Sequence, residues 1–225
     1  MAGSPRADDI EALWERAEAA LASLEPRARE DARALLIRLE RAAPPQSEAG
    51  VWAARQLGEM LVEESPWRAA LLLRRVTSCR TDDDAAYALT GLAHALLGNL
   101  AMAIASYRRA IALVPRSPWY HHNVGHLLDV GLGKPAAAVN HLRIAHKERP
   151  EEDEIAASLA HCLARLGELA EAERLARYAV SANRTHAGHR QLLEWIEKTD
   201  REQATRRAPV EKRRARAKPR RPRVD

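Results

Sequence analysis

Residues 84–117 read DAAYALTGLAHALLGNLAMAIASYRRAIALVPRS. The stretch divides at Gly98-Asn99 into two segments rich in Ala and Leu, each long enough for three or four helical turns. Gly98 is the residue that turns a chain out of a helix at no steric cost, and Pro115 stops the second segment because it cannot extend one. Small residues at Gly91, Ala103 and Ala110 allow two antiparallel helices to approach closely. Tyr107 is the bulky side chain available to fill the gap beside them. The segment therefore predicts a helix hairpin packed through small residues.

The same spacing recurs on both sides. Counting Asp84 as position 1, the marks fall at 4 (Tyr87), 8 (Gly91), 15 (Gly98), 20 (Ala103), 24 (Tyr107), 27 (Ala110) and 32 (Pro115). From Pro118, Gly125 falls at 8, Ala137 at 20 and His141 at 24, while Ala145 and Pro150 come one place late. A longer turn at Gly131–Pro135 would take up the extra residue. From Asp153, Leu159, Ala160, Leu163, Gly167, Ala172 and Ala179 keep the pattern, with Ala176 in place of the aromatic and Arg184 in place of the closing proline. From Val51, Leu57, Gly58, Leu61 and Ala70 keep it and Pro66 opens the second helix, whereas Arg74 and Thr77 depart. Residues 7–43 predict two helices broken at Pro26 and ended by Pro44-Pro45, with Ile10, Leu13, Trp14, Ala17, Leu21 and Leu24 on one stripe. His186–Lys198 carries Leu192, Leu193 and Ile196, suited to a helix that covers the open end of a stack.

This pattern resembles the tetratricopeptide repeat, whose period is about 34 residues and whose marks run W-x2-L-G-x2-Y, A-x3-F and P. Thr90 and His94 depart from it. The resemblance covers 51–200, and more loosely 7–200. It implies an all-α fold, a superhelical solenoid of antiparallel helix hairpins with a C-terminal capping helix. The organisation it implies is an N-terminal hairpin or degenerate repeat at 1–50, repeats at 51–83, 84–117, 118–152 and 153–185, a cap at 186–200 and a disordered basic tail at 201–225.

Composition agrees with helices and excludes several function classes. There are 5 Trp, 4 Tyr and no Phe, so the core must be built from Leu and Ala rather than from strand-forming aromatics. No apolar run approaches the roughly 20 residues of a membrane span, and the first twenty residues hold no signal core. The cysteines Cys79 and Cys162 are in no metal or redox spacing, which fits a reducing cytoplasm. No phosphate loop, H-E-x-x-H or G-x-S-x-G motif gives an enzyme reading a starting point. The expectation is a non-catalytic protein without a cofactor or metal, binding a peptide or helix of a partner protein.

In the resembled family, positions 2, 5, 9 and 12 of each first helix form one stripe along a concave groove, which implies groove roles for Trp52, Arg55, Glu59, Leu92, Trp119, His122, His126, Asp129 and His161. Family members that grip a terminal carboxylate use Lys and Asn where this chain has Arg55 and Glu59, so that mode is not expected here. An apolar middle at Ala85, Ala88, Leu92 and Ala95 instead suits an amphipathic ligand. Packing of the Trp residues within their own repeats is the plainer alternative. Eight of the nine histidines lie between 121 and 189. His122, His126 and His161 are spaced for zinc, but a tight site needs three or four fixed ligands, and no bound zinc is expected.

The charge is uneven. Residues 201–225 hold eleven basic residues against three acidic ones, a net +8 within a chain of +5, so the remainder is at −3. Arg206, Arg207, Lys212, Arg213, Arg214, Arg216, Lys218, Arg220, Arg221 and Arg223 could meet phosphates, and the alternative function is a nucleic-acid-associated factor whose repeats recruit a partner. With no aromatic interleaved, such binding would be sequence-blind.

Overall fold

The computed structural model describes residues 7–217 except Leu24 and Pro26, and describes no side chain at Ala204 or at 206–217. The expected break at Pro26 and the stripe residue Leu24 therefore lie outside the described residues. Among the described residues there are eleven α-helices, one π turn and no strand. The chain forms two compact units that divide between Leu127 and Leu128, inside the third repeat as read from sequence.

The first unit stacks three hairpins: α1 (Ala7–Ala22) with α2 (Ala28–Ala42), α3 (Glu48–Leu61) with α4 (Pro66–Cys79), and α5 (Asp84–Leu96) with α6 (Leu100–Leu113). Helix α7 (Pro118–His126) packs on α6. The core is aliphatic, with Leu36, Leu39, Leu61, Leu73 and Val76 essentially solvent-free, each contributing on the order of 1.5–3 kcal/mol by burial. Tyr107 is the one buried residue among the described Tyr and Trp, and its ring occupies the space that a side chain on Gly91 would need. A Cβ on Gly91 would stand 2.8 Å from that ring, and one on Gly58 would stand 2.7 Å from Leu73 Cγ. Ala103 and Ala110 are likewise fully buried.

The second unit holds α8 (Pro135–Glu148), α9 (Asp153–Arg165), α10 (Leu169–Ala182) and α11 (Ala187–Ala217), with α9 packed against α8, α10 and α11. Leu142, Ile155, Leu159, Leu163, Leu175 and Ile196 form its interior. The start of α11 is fastened by His189, whose buried ring meets Asp153 Oδ2 at 2.7 Å while it stacks on His186 at 3.9 Å between centroids.

Three hairpin turns place glycine at positive φ: Gly98 (75°), Gly133 (66°) and Gly167 (84°). After Gly98 the Asn99 N–H donates to His94 O, and after Gly167 the Glu168 N–H donates to Leu163 O, each reaching back five residues as in a Schellman cap. After Gly133 the Lys134 N–H reaches back six, to Leu128 O, because Leu127–Gly131 is a π turn. The extra residue of the third repeat thus sits in the wide last turn of its first helix, where sequence reading placed it in the Gly131–Pro135 loop. The backbone of α11 is helical to Ala217, beyond the 186–200 expected for the cap. Arg, Ala, Glu, Lys and Gln are good helix formers. The remainder of the expected disordered tail, 218–225, lies outside the described residues.

Candidate functional site

Helices α3, α5 and α7 of the first unit line a cleft of about 260 Å³. Its apolar surface is Ala85, Ala88, Leu89 and Leu92 of α5, with Tyr107 of α6 behind; its polar edge is Arg55 and Glu59 of α3 and Tyr120 and Asn123 of α7. Helical spacing explains the lining, since Ala85, Ala88, Leu89 and Leu92 recur every three or four residues on one face. Small side chains there leave room that Leu or Phe would occupy.

Electrostatics at the edge are set by Asp83 and Asp84 as much as by the lining residues. Asp83 caps α5 by accepting from Ala86 N–H at 2.8 Å, and its other oxygen accepts from Arg55 Nε at 3.1 Å. Arg55 also donates to Glu59 at 3.2 Å. Tyr120 donates its hydroxyl to Asp84 at 2.6 Å. Burial, then that bond and the charges of Asp84 and Asp83, push the Tyr120 phenol well above its ordinary value of 10. Burial raises Tyr107 to about 12, with an opposing contribution from its hydrogen bond to Asn123. Both phenols stay neutral hydrogen-bonding groups across the physiological range.

Of the residues expected in the groove, Arg55, Glu59 and Leu92 therefore meet in this cleft. Trp52 is half-buried, its ring 5.6 Å from that of Trp14 at a tilt of 35°, packing onto the N-terminal hairpin. Trp119 is 39 % exposed and touches the edge of His122 at 5.9 Å. His122 is buried, so a substitution there disturbs packing as well as any ligand contact. The exposed His126 ring lies 6.1 Å from it. Asp83, Asp84, Tyr120 and Asn123 were missed by the stripe of positions 2, 5, 9 and 12. Asn123 could have been found, because it lies four residues, about one turn, after Trp119.

The second unit gives Asp129 a different place from the one expected. Its side chain is 2 % exposed and fully engaged: Arg165 donates to Oδ1 at 2.6 Å and to the backbone oxygen at 2.7 Å, and His161 Nδ1 meets Oδ2 at 2.7 Å. Asp129 is thus a buried, ion-paired group and offers no groove contact. The expectation assumed unbroken 3.6-residue periodicity, whereas Asp129 lies within the π turn, whose wider winding takes its side chain off the stripe. His161 is fixed by Asp129 on one side and stacks on Trp195 at 5.5 Å. Beside them the Cys162 thiol donates to Pro135 O at 3.3 Å, and burial, with the nearby Asp129 charge, raises it to about 11, so it stays protonated. Among the described residues, no three His, Cys, Asp or Glu side chains converge as metal ligands would, and no helix is long and apolar enough to cross a membrane. The tail residues Arg206, Arg207, Lys212, Arg213, Arg214, Arg216, Lys218, Arg220, Arg221 and Arg223 have side chains outside the described residues.

Comparison with known proteins bears on the fold. Residues 91–128 match a family model described as TPR repeat, and 130–196 match a second described as tetratricopeptide repeat. A solved tetratricopeptide repeat protein from Parabacteroides merdae is 16% identical, with a TM-score of 0.69 over 93% of this chain and 80% of its own. MamA is 18% identical, with a TM-score of 0.65 over 80% of this chain and 94% of its own. YrrB, described as a TPR protein with an unusual peptide-binding site, is 16% identical, with a TM-score of 0.62 over 74% of this chain and 84% of its own. These likenesses are of fold. No curated protein matches the sequence.

Proposed function

We propose that this tetratricopeptide repeat protein is a non-catalytic interaction module that holds a peptide or helix of a partner protein in the cleft of α3, α5 and α7. The observation that carries the reading is the cleft itself: an apolar floor of Ala85, Ala88, Leu89 and Leu92 beside Arg55, Glu59, Tyr120 and Asn123. An apolar strip gives a helix or extended segment an area to bury, and the fixed polar groups beside it give direction and register. That YrrB, of similar fold, has a peptide-binding site supports the same reading. The test is selection from a random peptide library on the full chain and on Ala88→Trp, which fills the floor. Peptides enriched on the first and not on the second support the reading, and equal enrichment contradicts it.

A second role is favoured by the net +8 of residues 201–225. If about half of its basic residues meet phosphates, log affinity for duplex DNA falls with log salt at a slope on the order of −4 to −5. Removing residues 206–223 should flatten that dependence, and a full-length chain that does not bind nucleic acid at low salt would rule the role out.

A further inference from the structure

We propose that the cleft of the first unit selects a cationic segment, one that presents an Arg or Lys side chain next to small apolar residues. The inference rests on the peptide-binding reading above and adds the charge of the ligand. Its basis is the state of Arg55. Among the described residues that guanidinium is the one cation lining the cleft, and it is already held by two carboxylates, Asp83 at 3.1 Å and Glu59 at 3.2 Å. A ligand carboxylate would find only the remaining N–H donors of a guanidinium whose charge Asp83 and Glu59 already balance, and would stand beside those two negative charges. Glu59 is the opposite case: its side chain is 56% exposed and stands at the open edge, able to accept from a second donor while it keeps Arg55. Asp84, which accepts the Tyr120 hydroxyl, adds a further negative charge at the polar edge. The Tyr120 phenol is raised chiefly by burial and further by Asp84 and Asp83, while Arg55 opposes them.

Shape agrees with charge. Ala85 and Ala88 form a shallow floor that lets a ligand backbone come close, and Leu89 and Leu92 offer apolar contact for the methylene stem of a long basic side chain. Such a ligand would place its stem along the leucines and its charged end at Glu59.

The test uses two short helical peptides with the same Ala and Leu background, one with Arg at two positions four apart and the other with Glu there. Anisotropy titrations of each are run on the full chain, on Ala88→Trp and on Glu59→Gln. The basic segment 201–225 attracts the acidic peptide without the cleft, so the quantity read is the part of each affinity that Ala88→Trp removes. The expected result is an Arg peptide about tenfold tighter than the Glu peptide by that measure, with the advantage reduced about threefold in Glu59→Gln at unchanged helicity. A Glu peptide favoured at the cleft would overturn the proposal by showing that Arg55 attracts an anion despite its two carboxylate partners. Cleft-dependent binding of both peptides to equal extents would overturn the charge preference and leave the peptide-binding reading intact. Loss of cleft-dependent binding for both would overturn the two together.

Discussion

The hairpin at 84–117 and the repeat that follows it share a spacing of small residues and differ in length by one. In the first, Gly91 gives its space to Tyr107, Gly98 closes the helix with a five-residue reach, and α5 presents Ala85, Ala88 and Leu92 to an open cleft. In the second, the extra residue widens the last helical turn, and Asp129, the last residue of the expected groove stripe, is buried under Arg165 and His161. Packing tolerates the insertion by moving its marks one place along α8: Ala138, Leu142 and Ala145 are buried, whereas Ala137, expected at position 20, is exposed. What changes is which side chains the surface offers, so spacing specifies the scaffold more firmly than the binding face.

The largest effect should come from attacking the shared packing. Gly91→Leu drives a side chain into the Tyr107 ring and should cost about 3 kcal/mol in urea unfolding, the upper end for an overpacked core. A variant as stable as the parent would mean that Tyr107 moves freely and that the small-residue spacing is not what joins α5 to α6.

A smaller loss is expected from the feature peculiar to the second region. Asp129→Asn keeps the shape and removes the charge that pairs with Arg165 and His161. Because those partners are each about one-third exposed, the expected cost is about 2 kcal/mol, below the roughly 3–5 kcal/mol of fully buried pairs. If the substitution is neutral, the contrast between the two regions rests on backbone geometry alone.

The smallest effect is a pH dependence confined to the second unit. Burial, and secondarily Arg174, hold His146 below its ordinary value of 6.5. Between the folded and unfolded values the unfolded chain binds more protons, so stability falls as the pH drops below about 6.5. Asp153 is held below its ordinary 3.8, chiefly by the hydrogen bond from His189, so a second loss follows as the pH drops below that value. Thermal melts across pH 4–7 should show the first loss in the parent and not in His146→Gln. A melt as pH-sensitive in that variant as in the parent would assign the titration elsewhere.

Much of the fold was legible because its marks are steric. Gly58, Gly91 and Gly98 stand where a Cβ would collide or where φ is positive, and both requirements select glycine in any chain with this geometry. The cleft was legible in part. Arg55, Glu59 and Leu92 follow from helical phase, while Asp83 and Tyr120 act through contacts across hairpins, at separations of 28 and 36 residues, that no local pattern encodes. Asp129 was misplaced because nothing in Leu127–Gly131 distinguishes a π turn from an α-helix with a longer loop after it.

The claim that joins these observations is that the open cleft of α3, α5 and α7 is the ligand surface. Ala88→Trp tests it most directly, because residue 88 lies on the cleft floor outside the packing marks Gly91, Ala103 and Ala110. Titration of a library-selected peptide against the parent and this variant should show at least about a tenfold loss of affinity, or roughly 1.4 kcal/mol, with an unchanged melting temperature. Equal affinities at equal stability would place the ligand surface elsewhere on the chain and contradict the account.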